Sequence, residues 1–296
     1  MLLPNWLKTK KVPLGKSVAV NKIINRYHLN TVCQNARCPN IFECFAKGTA
    51  TFLILGDTCT RNCRFCSVKK LKSQGELNPP HDEPKKVGLA CNEMKLKHIV
   101  ITSVTRDDLS DGGASVFHET ILEVRKTCPG IIIEVLTPDF QGKKESINKV
   151  VSAKPDIFNH NIETVPRLYA EIRPLANYRR SLKLLSYVKH LNQNIATKSG
   201  LMLGLGEEKD EIINVMIDIR KANCDVITMG QYLRPSLSSE TLEVKRFIPP
   251  EEFSFYRQKA YELGFKAVAS GPFVRSSYNA DELWMEQKDL PLTEYH

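Results

Sequence analysis

The sequence predicts an α/β fold, a partial (β/α)6 TIM-like barrel with an extension at each end. Three observations predict it. Short apolar, β-branched runs alternate with longer amphipathic stretches, as right-handed βαβ units of a parallel sheet require. Six such units occur, two short of a closed eightfold barrel. Over 296 residues, 42% hydrophobic and 25% charged, there is ample apolar material for a buried sheet and its covering helices.

The first strand is read at Thr51–Leu55, where Thr-Phe-Leu-Ile-Leu has no charged residue. The others are read at His98–Val104, Ile131–Leu136, Asp156–Asn159, Thr197–Leu203 and Asp225–Met229. Between them helices are expected over Glu83–Lys95, Ala114–Thr127, Lys143–Ala153, Arg180–Leu191 and Glu208–Ala222. In the fourth, Leu184, Leu185, Val188 and Leu191 recur at helical spacing. Pro249 and Pro250 introduce a last helix, Glu251–Leu263, which Gly264 stops. Residues 51–264 thus form the barrel, with 1–50 and 265–296 as extensions. Sites in such sheets lie beyond the C-terminal strand ends. Cysteines, Arg106 and Asp107, His160 and Asn161, Gly204 and Gly206, and Gln231 all follow strands, so they should converge on one rim.

No stretch approaches the ~20 apolar residues that span a bilayer, and the N-terminus lacks secretory or organellar signal features. A cytoplasmic protein without a membrane partner is expected, and a reducing compartment suits its nine cysteines. The net charge of +9 includes the runs Lys8-Thr9-Lys10-Lys11 and Lys69-Lys70-Leu71-Lys72. These read as a solvated surface, a nucleic-acid footprint or a face for an acidic protein. No stacking platform or recognition helix supports nucleic acid.

Six cysteines form two triplets, Cys33–Cys38–Cys44 (C-x4-C-x5-C) and Cys59–Cys63–Cys66 (C-x3-C-x2-C). Each stops one ligand short of a closed site. A four-iron cubane held by three thiolates keeps one iron open to chemistry. The competing readings are zinc, which favours paired C-x2-C units, and a cluster with a distant fourth cysteine. Cys91, Cys128 and Cys224 look like ordinary buried cysteines, and Met202 and Met229 like core residues.

The second triplet, with Phe65 before its last cysteine, resembles the cluster loop of radical S-adenosylmethionine (SAM) enzymes. The first triplet, N-terminal to it, is similar to that of lipoyl synthases. The likeness continues in Val104–Gly113, Phe158–Val165, Lys198–Glu207 and Gly271–Tyr278, nearly the whole chain. The resemblance implies the radical SAM fold and two 4Fe-4S clusters. One, on Cys59, Cys63 and Cys66, binds SAM and yields a 5′-deoxyadenosyl radical. The other, on Cys33, Cys38 and Cys44, is the sacrificial sulfur donor. The implied activity is that of a sulfurtransferase: insertion of two sulfurs at C6 and C8 of an octanoyl chain on a carrier lysine. Implied partners are octanoylated lipoyl domains of oxo-acid dehydrogenases, the glycine cleavage H protein, and an electron donor such as ferredoxin or flavodoxin; a monomer is expected.

By register, the resemblance carries the serine ligand of the auxiliary cluster onto Ser277, with Ser276 the alternative and Arg275 steadying cluster or serine. Taken alone, this Ser-Ser pair reads as a surface turn. Arg106, Asp107 and Asp108 could contact SAM or organise the loop beside it, or start a helix with Asp111. Asn159, His160, Asn161 and Glu163 could bond the SAM ribose or carboxylate, although a lone histidine is more often structural. Gly204 and Gly206 lack the dinucleotide fingerprint and are read as letting backbone approach the adenosyl group. Biotin synthases and tRNA methylthiotransferases are the neighbouring readings; the position of the first triplet and the Arg275–Tyr278 ending oppose both. A non-enzymatic iron–sulfur or nucleic-acid-binding regulator would need neither a second open cluster nor the glycine-lined strand ends.

Overall fold

The structure, a computed structural model, describes residues 3–8, 15–35, 38, 40–46, 51–71, 82–236 and 241–277. Tyr278 and the lysines at 10, 11 and 72 lie outside the described residues. The N-terminal part contributes helix α1 (Gly15–Arg26), strand β1 (Asn30–Thr31) and short helices α2 (Val32–Asn35) and α3 (Ile41–Ala46). Strand β2 (Thr51–Ile54) follows, and then a small ladder, β3 (Thr58–Cys59) with β4 (Lys69–Lys70). The alternating part runs α4 (Glu83–Met94), β5 (His98–Ser103), α5 (Ala114–Thr127), β6 (Ile132–Leu136), α6 (Lys144–Ser152) and β7 (Ile157–Asn159). It continues with α7 (Tyr169–Ile172), α8 (Tyr178–Leu191), β8 (Ala196–Leu203), α9 (Lys209–Lys221), β9 (Val226–Gln231), α10 (Pro250–Glu262) and β10 (Ala267–Gly271).

The main sheet has the order β1-β2-β5-β6-β7-β8-β9-β10, parallel throughout except for β1, which pairs antiparallel with β2 at one edge. Sequence-adjacent crossovers keep the strands in chain order, so the sheet curls as a barrel does. It stays open between β1 and β10. The six expected strands are all present. The sheet also reaches past 51–264 at both ends, because β1 lies in the N-terminal extension and β10, paired with β9 from Ala267↔Val226 to Gly271↔Gly230, in the C-terminal one. The physical reason is composition: Ala-Val-Ala-Ser-Gly has little of the bulk that marks a strand, yet as an edge it needs only one neighbour.

The helices start where local chemistry dictates. Asn177 accepts the Arg180 N–H at the head of α8, Glu208 and Glu211 form a capping box on α9, and Pro250 opens α10. The strands are buried on both faces; β2, β9 and most of β8 expose almost nothing. One apolar cluster joins Phe52, Ile99, Ile133, Val135 and Phe158 to α4, α5 and α6, and a second joins Leu201, Leu203, Ile227 and Met229 to α9 and α10. Cys91 and Cys224 are buried core residues, and Cys128 is half-buried.

An ionic cluster lies among the strands. Glu134 on β6 pairs with Lys198 on β8 at 3.0 Å, accepts from Asn159 Nδ2 at 2.8 Å, and has His98 Nε2 3.6 Å away. Burial opposes the Glu134 ion, but Lys198, His98 and Asn159 outweigh it and hold the carboxyl down to about 2. Among the described residues no helix is long and apolar enough to cross a membrane.

Candidate active site

The second triplet hangs on a pinched loop. Leu55 and Gly56 take left-handed backbone angles after β2, and the Leu55 N–H donates to buried Glu83 at 2.7 Å. The β3–β4 ladder then closes the neck, Thr58 against Lys69 and Cys59 against Lys70, leaving Cys63 and Cys66 in the loop. A turn sets the Cys66 N–H on the Cys63 carbonyl at 3.2 Å. Arg64 moors the loop through Ile172 and Leu242, and Phe65 packs on the second apolar cluster.

Arg61, between Cys59 and Cys63, is buried and holds the loop to two strand ends. It makes a bidentate pair with Asp107 (2.7 and 2.9 Å) and a further bond to Asp139 (2.6 Å), which Arg180 also neutralises at 3.0 Å. Asp107 is therefore spent on organising the cluster loop. Arg106 is buried and paired with Asp108 at 2.7 Å, and Asp111 takes the capping role, accepting from Gly113 and Ser115 N–H at the head of α5. Arg106 and Asp107 thus have their charges answered within the protein.

The first triplet is seated beside the second. The Cys38 N–H donates to the Cys33 carbonyl at 3.0 Å, and the Cys44 N–H to the Asn40 carbonyl at 2.9 Å. Ser67 Oγ donates to the Asn35 carbonyl at 2.8 Å, tying residues next to Cys66 and Cys33 together. The C-terminal segment closes over this place. Asn40 Nδ2 donates to the Phe273 carbonyl at 2.7 Å. Arg275 is enclosed beside Cys38, with burial opposing its charge and the thiol favouring it. Ser276 Oγ accepts from Asn161 Nδ2 at 3.2 Å. Ser277 follows, half-buried. The approach requires Gly230, because a Cβ there would fall on the Val274 carbonyl oxygen.

Among the strand-end polar residues, sequence neighbours part company. Asn159 and His160 sit in the wall. Asn159 serves Glu134, while His160 meets the Thr137 carbonyl through Nδ1 (2.9 Å) and Ser181 through Nε2 (2.8 Å). Burial, seconded by Arg173, lowers His160 to about 4, so it stays neutral. His160 is thus enclosed by protein on both ring nitrogens, whereas Asn159 uses its Nδ2 on Glu134 and leaves its buried Oδ1 without a partner. Asn161 and Glu163 bond each other at 3.0 Å beside Ser276, and burial raises the Glu163 carboxyl against the pull of Arg173. Gly200 lets this pair lie against β8, since a Cβ would come 2.9 Å from Asn161 Oδ1.

Gly204 and Gly206 also have demands from the protein itself. The Gly204 and Leu205 N–H groups donate to the Glu207 carboxylate, and a Cβ on Gly204 would strike the Arg246 carbonyl and Gln231 amide. Gly204 is a glycine because protein backbone packs on it. Gly206, at φ +108, is a turn residue.

Arg173 escapes the sequence reading. It is buried, its Nη1 donates to the Asn161 and Ile162 carbonyls (3.0 and 3.1 Å), and its Nε has no partner. It lies within electrostatic reach of Glu163 and Cys63. Its only sequence signal is an arginine inside an otherwise apolar turn, Ile172-Arg173-Pro174-Leu175.

Among the described residues no three His, Cys, Asp or Glu side chains converge to hold a single metal ion; it is the chemistry of the two thiol triplets that suits the clusters the resemblance implies. None of the nine cysteines is joined in a disulfide. Burial first, then the neighbouring thiols of the same triplet, push Cys66 up to about 12, and burial with Cys38 raises Cys33 to about 11. Buried thiols that repel one another's charge are a donor set that iron would neutralise. Buried Ser103, Thr137, Asn159 and Asn161 oxygens and Arg173 Nε, all on segments at or following the C-terminal strand ends, lack partners, as a polar ligand's site would leave them.

The family model of the radical SAM superfamily matches residues 53–219. The lipoyl synthase of Caldanaerobacter subterraneus subsp. tengcongensis is 54% identical over 94% of this chain and 95% of its own length. The chain belongs to the lipoyl synthase family, within the radical SAM superfamily. The lipoyl synthase of Alkaliphilus metalliredigens is 50% identical over 97% of both chains. Solved structures agree on fold alone: methylornithine synthase (PylB) at TM-score 0.54, 14% identity, 85% of this chain and 68% of that one, and the hydrogenase maturase HydG at 0.55, 13%, 85% and 62%.

Proposed function

We propose that the chain inserts sulfur at C6 and C8 of an octanoyl group amide-linked to a carrier lysine, making the lipoyl group. One observation carries this reading: two thiol triplets, each lacking a fourth cysteine, are joined through the Ser67–Asn35 hydrogen bond, under a C-terminal segment that Asn40 and Cys38 meet at Phe273 and Arg275. Saturated carbons have neither an acidic proton nor a leaving group, so side-chain acid–base chemistry has no purchase on them. When bound, the cluster of Cys59, Cys63 and Cys66 and its SAM supply a carbon radical strong enough to take those hydrogens. The sulfur donor on Cys33, Cys38 and Cys44 is a substrate, spent in each turnover.

The chain's own part is to hold and exclude. Arg173 offers its unpartnered Nε to a carboxylate, and Glu163 and Asn161 offer acceptors to an ammonium or ribose. Ser277 supplies a hard oxygen ligand that leaves more easily than a thiolate, and Arg275 steadies it. Carriers are octanoylated lipoyl domains and the glycine cleavage H protein, with a ferredoxin or flavodoxin as donor. The protein works as a cytoplasmic monomer, where thiols stay reduced.

The test is anaerobic incubation of an octanoylated carrier domain with iron-loaded protein, SAM and dithionite, followed by mass spectrometry. A gain of two sulfurs and loss of two hydrogens is expected. Cys38→Ala should still form 5′-deoxyadenosine but no sulfur-bearing product; lipoyl product from that variant would refute the assignment of the first triplet.

A further inference from the structure

Cys59 receives one of its hydrogen bonds from another part of the chain. Its Sγ accepts the Arg61 N–H at 3.4 Å within the loop, and the Thr105 N–H at 3.3 Å from the turn after β5. That turn is held by the residue following the cysteine. Thr60 donates to the Thr105 carbonyl through both its N–H and its Oγ1, each at 3.0 Å, and Oγ1 accepts the Asp107 N–H at 3.1 Å. Arg61 completes the lacing through its bidentate pair with Asp107 and its bond to Asp139. Every component is backbone or a short or buried side chain, so the Thr105 amide has little freedom to leave the sulfur.

Taking Cys59, Cys63 and Cys66 as ligands of the SAM-binding cluster, as in the proposed function, we infer that Thr60 is a positioning residue that sets this cluster's reduction potential by holding the Thr105 N–H on the Cys59 sulfur. An N–H dipole aimed at a ligand sulfur stabilises negative charge there, and the reduced cluster carries one electron more than the oxidised one. Each such bond therefore favours reduction and raises the potential. Asp107, one of the residues read as contacting SAM or organising the loop beside it, serves this clamp through Arg61. Removing the Thr60 hydroxyl deletes one of two bonds to the Thr105 carbonyl and orphans the Asp107 N–H, so the turn drifts from the sulfur.

The experiment is a redox titration, followed by electron paramagnetic resonance, of the full-length iron-loaded protein and its Thr60→Val and Thr60→Ser variants. The SAM-binding cluster is recognised as the signal that changes on adding SAM, and the auxiliary cluster is the internal standard. Thr60→Val should load iron as the parent does and reduce at a lower potential, while Thr60→Ser, which keeps the hydroxyl, stays with the parent. The auxiliary potential should not move in either variant. The inference is overturned if Thr60→Val titrates with the parent, if Thr60→Ser shifts as far as Thr60→Val, or if both clusters shift together. Should Thr60→Val not fold, Thr60→Ala is read by the same criteria. Iron content untouched by Cys59→Ala would instead overturn the cluster assignment on which the proposed function stands.

Discussion

Arg173 keeps a buried guanidinium nitrogen without a partner, a state that costs stability unless a ligand completes it. Lysine retains the charge and loses the planar fork. Arg173→Lys should weaken SAM binding by about tenfold to a hundredfold, the worth of roughly 1.5–3 kcal/mol for a bond to a charged group; equilibrium dialysis measures it. Glu134 makes the opposite case, a buried charge fully answered. Its carboxyl is held at about 2, below the ordinary 4.5. Its stabilising contribution is therefore complete above the unfolded value and lost as pH falls from about 4.5 toward 2. Glu134→Gln leaves Lys198 unpaired in the barrel, which should cost about 3–5 kcal/mol. Urea unfolding at neutral pH checks that loss, and the variant should lack this part of the parent's decline in acid. His160 is buried and bonded through both ring nitrogens, the environment of a structural histidine. Pattern alone does not say that Asn159 bonds Glu134 while Asn161 bonds Glu163 and Ser276, because Glu134 and Ser276 lie on distant segments.

Elements were legible to within a residue or two, because each helix carries its own start signal and each buried strand its own apolar run. The α5 span was read at its observed limits, Ala114–Thr127. What escaped were α1, β10 and the short elements β1, α2, α3, β3, β4 and α7, which have weak local preferences and gain their form from a neighbour. The error at β10 has a functional side, since that strand delivers residues 271–277 to the mouth. Its fit against β9 depends on the bare backbone of Gly230. Gly230→Ala should push the segment off the first triplet: iron content falls from about eight per chain to about four, 5′-deoxyadenosine formation persists, and sulfur-bearing product disappears. An unchanged iron count would show that the segment holds nothing.

At the scale of the whole molecule, a net charge of +9 acts over the distance at which a carrier domain first meets the surface. If the carrier is acidic, rising ionic strength should lower kcat/KM for an octanoylated domain by about tenfold. The same salt should leave a short neutral octanoyl peptide unaffected, since screening removes steering and leaves the site intact. Equal salt responses for domain and peptide would place the charge elsewhere in the protein's life. The open seam between β1 and β10 gives both extensions access to one mouth.

Sequence by itself determined the six central strands and the helices between them, the spacing of the two cysteine triplets and the family. Each is written in local spacing or in a contiguous motif, so no distant contact is needed to read it. Tertiary structure alone decided the partners of the strand-end groups: Asn161 bonds Glu163 and Ser276, Asn159 bonds Glu134, His160 lies between Thr137 and Ser181, and Gly204 packs under the 245–246 backbone. It also decided that Asp107 answers Arg61 and that the chain's C-terminal segment reaches the first triplet. These pairings join residues dozens to hundreds of positions apart, and their partners are selected by how the sheet curls.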